Sequence, residues 1–327
     1  MKLKTKNLIL FPTKNMNFRN WEKVGMLSRE IAPYNLLAKH FKNIFIFTYA
    51  GPEELKYQKF LSPNIKIICK NVKMPIWLYY WLAPLFHLPT IFRSHFLKTN
   101  QMRGAKTALI AKFFNPFAKL IIRTGFTQSL FDKKENPARL KKTKRLEKWA
   151  YRLCDHAFIT SLADRDYILK EYKIPENKIS VIPNYIDTEV FKPEDVKKFD
   201  NRVLFIGKIH PQKNLPALVE SLSNTGLALD IVGQESKENK LTEELVKLAF
   251  KENAIVNFLG AVPNYELPKI INKYKIFVLP SLYEGMPKTL LEAMSCGLAC
   301  IATDIPGSRE VIKNGVNGLL AAASRKV

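Results

Sequence analysis

Glu284 and Glu292 stand eight positions apart in Ser281-Leu-Tyr-Glu-Gly-Met-Pro-Lys-Thr-Leu-Leu-Glu-Ala-Met-Ser-Cys-Gly297. Apolar runs flank this stretch at 276–280 and 299–302. The pattern reads as strand, sharp turn, short helix, glycine stop, strand. Pro287 suits the first helical position, where a missing N–H loses nothing. Gly297 suits the helix exit. Glu284 then stands just before the helix, and Glu292 lies about 8 Å along it at about 1.5 Å per residue. The amides of Gly285, Met286, Lys288 and Thr289 point beyond the sheet, and an open helix start of this kind attracts anions. Two carboxylates bracketing a patch of N–H donors suit a long ligand with hydroxyls at both ends and phosphates between. A nucleotide-sugar has that shape. The plainer alternative makes Glu284 a dipole-friendly acid and Glu292 a solvated helix residue. Against it, Glu292 is embedded among Leu290, Leu291, Ala293 and Met294, where an unpaired carboxylate is costly.

The elements that must position these residues alternate along the chain. Apolar runs at 8–11, 44–49, 65–69, 120–122, 157–159 and 180–183 form a first series, separated by helix-length segments. A second series follows at 203–206, 228–232, 255–259, 276–279 and 299–302. Alternation of this kind predicts parallel sheets with crossover helices. The expected fold class is α/β, with two Rossmann-like domains, 1–190 and 191–327, facing a cleft. The charged, proline-bearing stretch Thr188–Asn201 is the expected linker. In such sheets ligands sit beyond the carboxyl ends of the strands.

At 327 residues, 47% hydrophobic and 11% aromatic, the chain has ample material for two cores. Four cysteines, Cys69, Cys154, Cys296 and Cys300, show no metal-ligand spacing, and the chain reads as reduced and cytoplasmic. The apolar run Leu8–Phe11 is too short for a signal-peptide core. The net charge of +23 is uneven. Residues 1–150 carry 29 Lys and Arg against 7 Asp and Glu, and the remainder carries 23 against 22. A first half this basic seeks polyanions, and an anionic membrane surface is the favoured partner. Residues 74–92 hold no Lys, Arg, Asp or Glu. Pro75, Pro84 and Pro89 interrupt them and Trp77, Tyr79, Tyr80 and Trp81 crowd one end. An interfacial or acceptor-facing helix ranks first for this segment, a buried helix second and a membrane span last. A basic helix is predicted from about Pro137 to Leu153.

The string from Glu284 to Met294 resembles the E-x7-E signature of retaining glycosyltransferases of family 4, which have the GT-B fold. Val203-Leu-Phe-Ile-Gly207-Lys208-Ile-His-Pro-Gln-Lys213-Asn214 is similar to the family's strand, glycine, basic residue and Lys-Asn motif, with Lys208 where arginine is usual. Asp230-Ile-Val-Gly233-Gln234 resembles the segment that passes near the nucleotide base. Val181–Asp187 and Pro306–Glu310 match further segments, so the likeness covers about 150–320. Before that it is loose, through Trp21, Gly25, Arg29-Glu30 and Arg123-Thr124-Gly125. Relatives continue past Gly318 with a helix returning to the first domain, so the chain ending at Ser324-Arg-Lys-Val327 is expected to be a fragment or truncated product.

The resemblance implies a hexosyltransferase-like enzyme that moves a sugar from a nucleotide-diphosphate sugar to an acceptor with retention. It needs no cofactor or metal. Gly207, Lys208, Lys213, Gly233, the turn from Gly285 to Thr289, and Glu292 would bind the donor, with Glu292 on the ribose hydroxyls. Glu284 would be the catalytic residue, holding the donor sugar. Arg123 and Thr124 are acceptor candidates. A basic, aromatic-faced first domain suggests a lipid-linked or polysaccharide acceptor in cell-envelope or lipopolysaccharide synthesis, with the protein peripheral on the inner membrane face. Two alternatives stand: a non-catalytic basic protein that binds lipid or nucleic acid, and another GT-B enzyme such as a nucleotide-sugar epimerase. No nucleic-acid motif is present, so nucleic acid is not an expected partner.

Overall fold

The computed structural model describes residues 3–13, 17–235 and 240–323. The chain end at 324–327 lies outside them. Two compact units form, Met1–Ile182 and Pro183–Val327.

The first unit runs β1 (Asn7–Phe11), α1 (Phe18–Lys23), α2 (Leu27–Ala38), β2 (Asn43–Phe47), β3 (Ile65–Ile68), α3 (Ile76–Phe86), α4 (Leu88–Phe92), β4 (Phe96–Thr99), α5 (Ala105–Phe114), β5 (Lys119–Arg123), α6 (Gln128–Glu135), α7 (Pro137–Leu153), β6 (His156–Ile159), α8 (Leu162–Tyr172) and β7 (Ile179–Val181). Its seven strands are all parallel, in the order β3-β2-β1-β4-β5-β6-β7. Successive side chains of a strand point to opposite faces. Leu8 and Leu10 therefore enter one core with Trp21 and Tyr34, while Ile9 and Phe11 enter another with Tyr79 and Ala108. Burial on both faces explains why β1 is a continuous apolar run.

The second unit runs β8 (Arg202–Ile206), α9 (Leu215–Ser221), β9 (Ala228–Val232), α10 (Leu241–Lys251), β10 (Ile255–Gly260), α11 (Leu267–Ile271), β11 (Ile276–Leu279), α12 (Lys288–Ser295), β12 (Ala299–Thr303), α13 (Pro306–Arg309) and β13 (Leu319–Ala321). Its parallel sheet has the order β10-β9-β8-β11-β12-β13. All five residues of β9 are buried, including the acid Asp230. Its carboxylate accepts from Arg202 Nη1 at 2.9 Å, Asn257 Nδ2 at 2.7 Å and the Tyr274 hydroxyl at 2.5 Å, which offsets the cost of burying it. Asp230 is thus a brace inside the sheet.

Two strands escape the reading of apolar runs. In β4, Lys98 and Thr99 fill the second half, and β13 is three residues long. The predicted basic helix appears as α7 at its expected limits. The expected linker is strapped to the second unit. Asn272, fully buried, accepts from Glu194 N and donates to Lys192 O, and Phe191 enters the second core. These strap contacts fall after the 190/191 division, and the compact units divide at 182/183.

At the carboxyl edge of the second sheet the chain after β9 lies against the chain after β8. Gly233 has φ +150°, and a Cβ there would lie 1.8 Å from the Gly207 carbonyl oxygen. Gly233→Ala should cost on the order of 3 kcal/mol, read as a lowered denaturant midpoint. Asn272→Ala should cost about 1–3 kcal/mol through the stranded groups of the strap, and faster proteolysis between 188 and 201 should accompany it.

Candidate functional site

Every site residue expected in the second unit falls at one edge of its sheet. β8 and β11 are neighbours, yet β8 continues to β9 on one side and β11 to β12 on the other. Their carboxyl ends form the switch point where ligands of open α/β sheets sit. The loop after β8 carries Gly207, Lys208 and Lys213, and the loop after β11 carries Glu284 to Pro287. The two loops are laced together. Leu282 N donates to Gln212 O at 2.8 Å, and Gln212 Nε2 donates to Tyr283 O at 2.6 Å. His210 Nδ1 accepts from Gln212 N and shapes the first loop.

Lys213 Nζ donates to Glu284 Oε1 at 2.5 Å, and the Ser281 hydroxyl donates to the same oxygen at 2.8 Å. The side chains are 15% and 12% exposed, so little solvent screens the pair. Lys208 is exposed on the neighbouring turn. Sequence reading places Lys213 on a phosphate and Glu284 on a sugar separately. The structure joins them.

The start of α12 is open. The amides of Gly285, Met286 and Thr289 have no hydrogen-bond acceptor among the described residues. Three other helix starts differ. Glu54 accepts from Phe18 N and Arg19 N at the start of α1, Glu147 from Ser129 N in the first turn of α6, and Glu235 from Leu241 N and Thr242 N on α10. Those first-turn N–H groups are satisfied by a carboxylate of the protein. Glu284 is turned to Lys213 instead. Pro287 sits one position before the expected one, as the cap residue ahead of Lys288, where its missing N–H is equally harmless.

Two residues that the motif does not name hold the turn. Asn184 Nδ2 donates to Met286 O at 2.7 Å, while Asn184 N lies 3.2 Å from Met286 Sδ. A Cβ on Gly307 would lie 2.0 Å from the Gly285 carbonyl oxygen, so α13 can back the turn only with glycine there. Glu292 is 1% exposed, and its Oε1 accepts from Asn264 Nδ2 at 3.1 Å. The Asn184 and Gly307 segments match the family's pattern, but their contacts with the turn have no sequence signal. Arg123 and Thr124 lie in the first unit. Arg123 is part-buried at the end of β5, and Thr124 is enclosed at 2% exposure.

Two family models match the chain: Glycosyltransferase Family 4 over residues 28–190 and Glycosyl transferases group 1 over residues 186–326. The chain is 34% identical over 181 residues to the UDP-Gal:alpha-D-GlcNAc-diphosphoundecaprenol alpha-1,3-galactosyltransferase of Escherichia coli, covering 48% of this chain and 44% of that one. It is 30% identical over 173 residues to the O-antigen chain mannosyltransferase RfbU of Salmonella typhimurium, covering 52% and 48%. The chain thus spans about half the length of these curated relatives. Among solved structures, Anabaena HepE in complex with UDP matches with a TM-score of 0.75 at 17% identity, over 97% of this chain and 86% of that one. The lipopolysaccharide outer core galactosyltransferase WaaB in its apo form matches at 0.67 and 20% identity, over 97% and 86%. Two models that meet near residue 190, over two parallel α/β sheets of the GT-B architecture, establish that the chain belongs to the family 4-like glycosyltransferases.

Proposed function

We propose that the protein transfers a sugar from a nucleotide-diphosphate sugar to an acceptor hydroxyl, with retention at the anomeric carbon and without a metal. The open amides beside the Lys213–Glu284 pair carry this reading. Departure of a nucleoside diphosphate builds negative charge on its oxygens. Fixed donors aimed at that charge lower the barrier with little reorganisation. Here they are the amides of Gly285, Met286 and Thr289, the exposed Lys208, and Lys213 once the diphosphate draws it from Glu284. Glu284, thus released, holds hydroxyls of the donor sugar and the positive charge developing at its ring. Glu292, steadied by Asn264, accepts from the ribose hydroxyls. The curated relatives favour an acceptor in cell-envelope glycan synthesis, and the E. coli enzyme, named for a lipid diphosphate, makes a lipid-linked one the first choice.

The same reading places the protein against an anionic membrane. No helix among the described residues is long and apolar enough to cross one. Instead α3 and α4 bury Tyr79, Tyr80 and Ala83 while exposing Trp77, Trp81, Phe86 and Phe92. Lys106 lies 5.2 Å from the Trp81 ring. Between α7 and α8, Lys144, Arg145, Lys148, Arg152 and Lys173 line a cavity of about 490 Å³, with Lys144 paired to Glu171 at 2.7 Å. Exposed aromatics among cations suit the lipid–water interface.

A mass-spectrometric screen of UDP-, GDP- and ADP-sugars should find one donor consumed. Glu284→Gln keeps the side chain's size and its contact with Ser281 but removes the charge. It should lower kcat at least about 100-fold and leave the unfolding midpoint within a few degrees. Unchanged turnover would contradict the assigned role. Flotation with phosphatidylglycerol vesicles, absent with phosphatidylcholine and reversed by about 0.5 M salt, should report the membrane surface. Stabilisation by an oligonucleotide and by no nucleotide would favour the non-catalytic alternative.

A further inference from the structure

The first unit carries a second cluster, at the carboxyl edge of its own sheet. β1 and β4 are neighbours there, with β2 and β3 beyond one and β5 to β7 beyond the other, so this edge is also a switch point. Lys98 pairs in register with Leu10 of β1 and Ile121 of β5, which puts all three on one face. Arg123, two residues beyond Ile121, points to that face as well. Tyr34 reaches it from α2, with its ring centroid 5.9 Å from Lys98 Nζ and its hydroxyl donating to Asn100 Oδ1. Arg123 Nη1 lies 3.4 Å from Asn100 O. The Arg29–Glu30 pair stands about one turn earlier on α2.

Lys98 is the unusual member. It is part-buried in the middle strand of a seven-stranded sheet. Among the described residues its ammonium has one hydrogen bond, to its neighbour's carbonyl, Thr99 O at 3.3 Å, and no carboxylate pairs with it. Burial, with the Arg123 guanidinium beside it, brings the ammonium down to about 7. An ammonium enclosed beside a second cation is unfavourable unless an anion joins them. The mechanism assigned to the second unit makes no use of either residue.

We propose that Lys98 and Arg123, with the Tyr34 and Asn100 side chains, form a binding site for a phosphate or diphosphate group at the carboxyl edge of the first sheet. Assigning that group to the acceptor rests on the glycosyl-transfer reading, whereas the site itself does not. Arg123 supplies a permanent charge and a planar fork suited to phosphate oxygens. Lys98 supplies a charge that the anion itself stabilises, so binding takes up a proton at neutral pH.

Sulfate keeps its charge across neutral pH and is the probe. Calorimetric titration of the full chain should show sulfate affinity falling about tenfold from pH 6 to pH 8, because a lysine of pKa near 7 is mostly protonated at the lower value and mostly neutral at the higher. Lys98→Arg leaves the Arg29–Glu30 pair, Tyr34 and Arg123 in place and should bind sulfate with no such slope. Lys98→Met should bind at least tenfold more weakly at pH 6. Stabilisation by UDP, GDP or ADP should be unchanged in both variants, and its absence from the wild type would count against the donor site alone. Displacement of sulfate by farnesyl diphosphate marks a prenyl-linked acceptor, and displacement by inorganic pyrophosphate alone marks a soluble phosphate. Either supports the site. Wild-type sulfate affinity in Lys98→Met, a flat pH profile in the wild type, loss of sulfate in Lys213→Met instead, or no displacement by either diphosphate would overturn it.

Discussion

Lys213 and Glu284 are 71 residues apart in the chain and share a hydrogen bond because β8 and β11 are side by side. The pair is enclosed enough that removing its charges from water offsets much of their attraction. Its net contribution to stability is therefore small, and its use is positional. It holds a cation and a carboxylate at the point where two strands diverge, and it turns Glu284 away from the amides that this acid would otherwise cap. The open helix start depends on that diversion.

The backbone around the pair follows the same constraint. Gly233 lies against the carbonyl of Gly207, and Gly307 lies against that of Gly285. In both places two segments approach more closely than any side chain permits. Asn184 and Gln212 add hydrogen bonds to the carbonyls of Met286 and Tyr283. The donors of the turn are thus fixed before a ligand arrives, which is what electrostatic preorganisation requires.

Buried acids serve two different ends in this chain. Glu54 and Glu147 satisfy first-turn amides, and Asp230 braces a strand through Arg202, Asn257 and Tyr274. Burial of an acid is therefore no sign of chemistry here. What separates Glu284 is a cationic partner on another loop, beside amides that meet no acceptor. The basic first unit shows the same contrast among its cations: most of its lysines are solvated, while Lys98 is enclosed.

The alternation of apolar runs with helix-length segments makes the two α/β units legible from sequence, because parallel strands buried on both faces must be continuously apolar. The signature turn is legible too, since Pro287, Gly297 and the flanking strands punctuate it within 27 residues of chain. The strand β4 is not, because half of its four residues are Lys98 and Thr99, and with it the cluster around Lys98 goes unread. The strap of Asn272, the ion pair of Lys213 with Glu284 and the close approaches at Gly233 and Gly307 join residues remote in the chain. No local pattern encodes such contacts. Sequence by itself determined which elements form and which residues stand at their ends, because periodicity, caps and turns are local. Only the tertiary structure decided which of those ends meet, because strand order is set by how whole layers bury their faces.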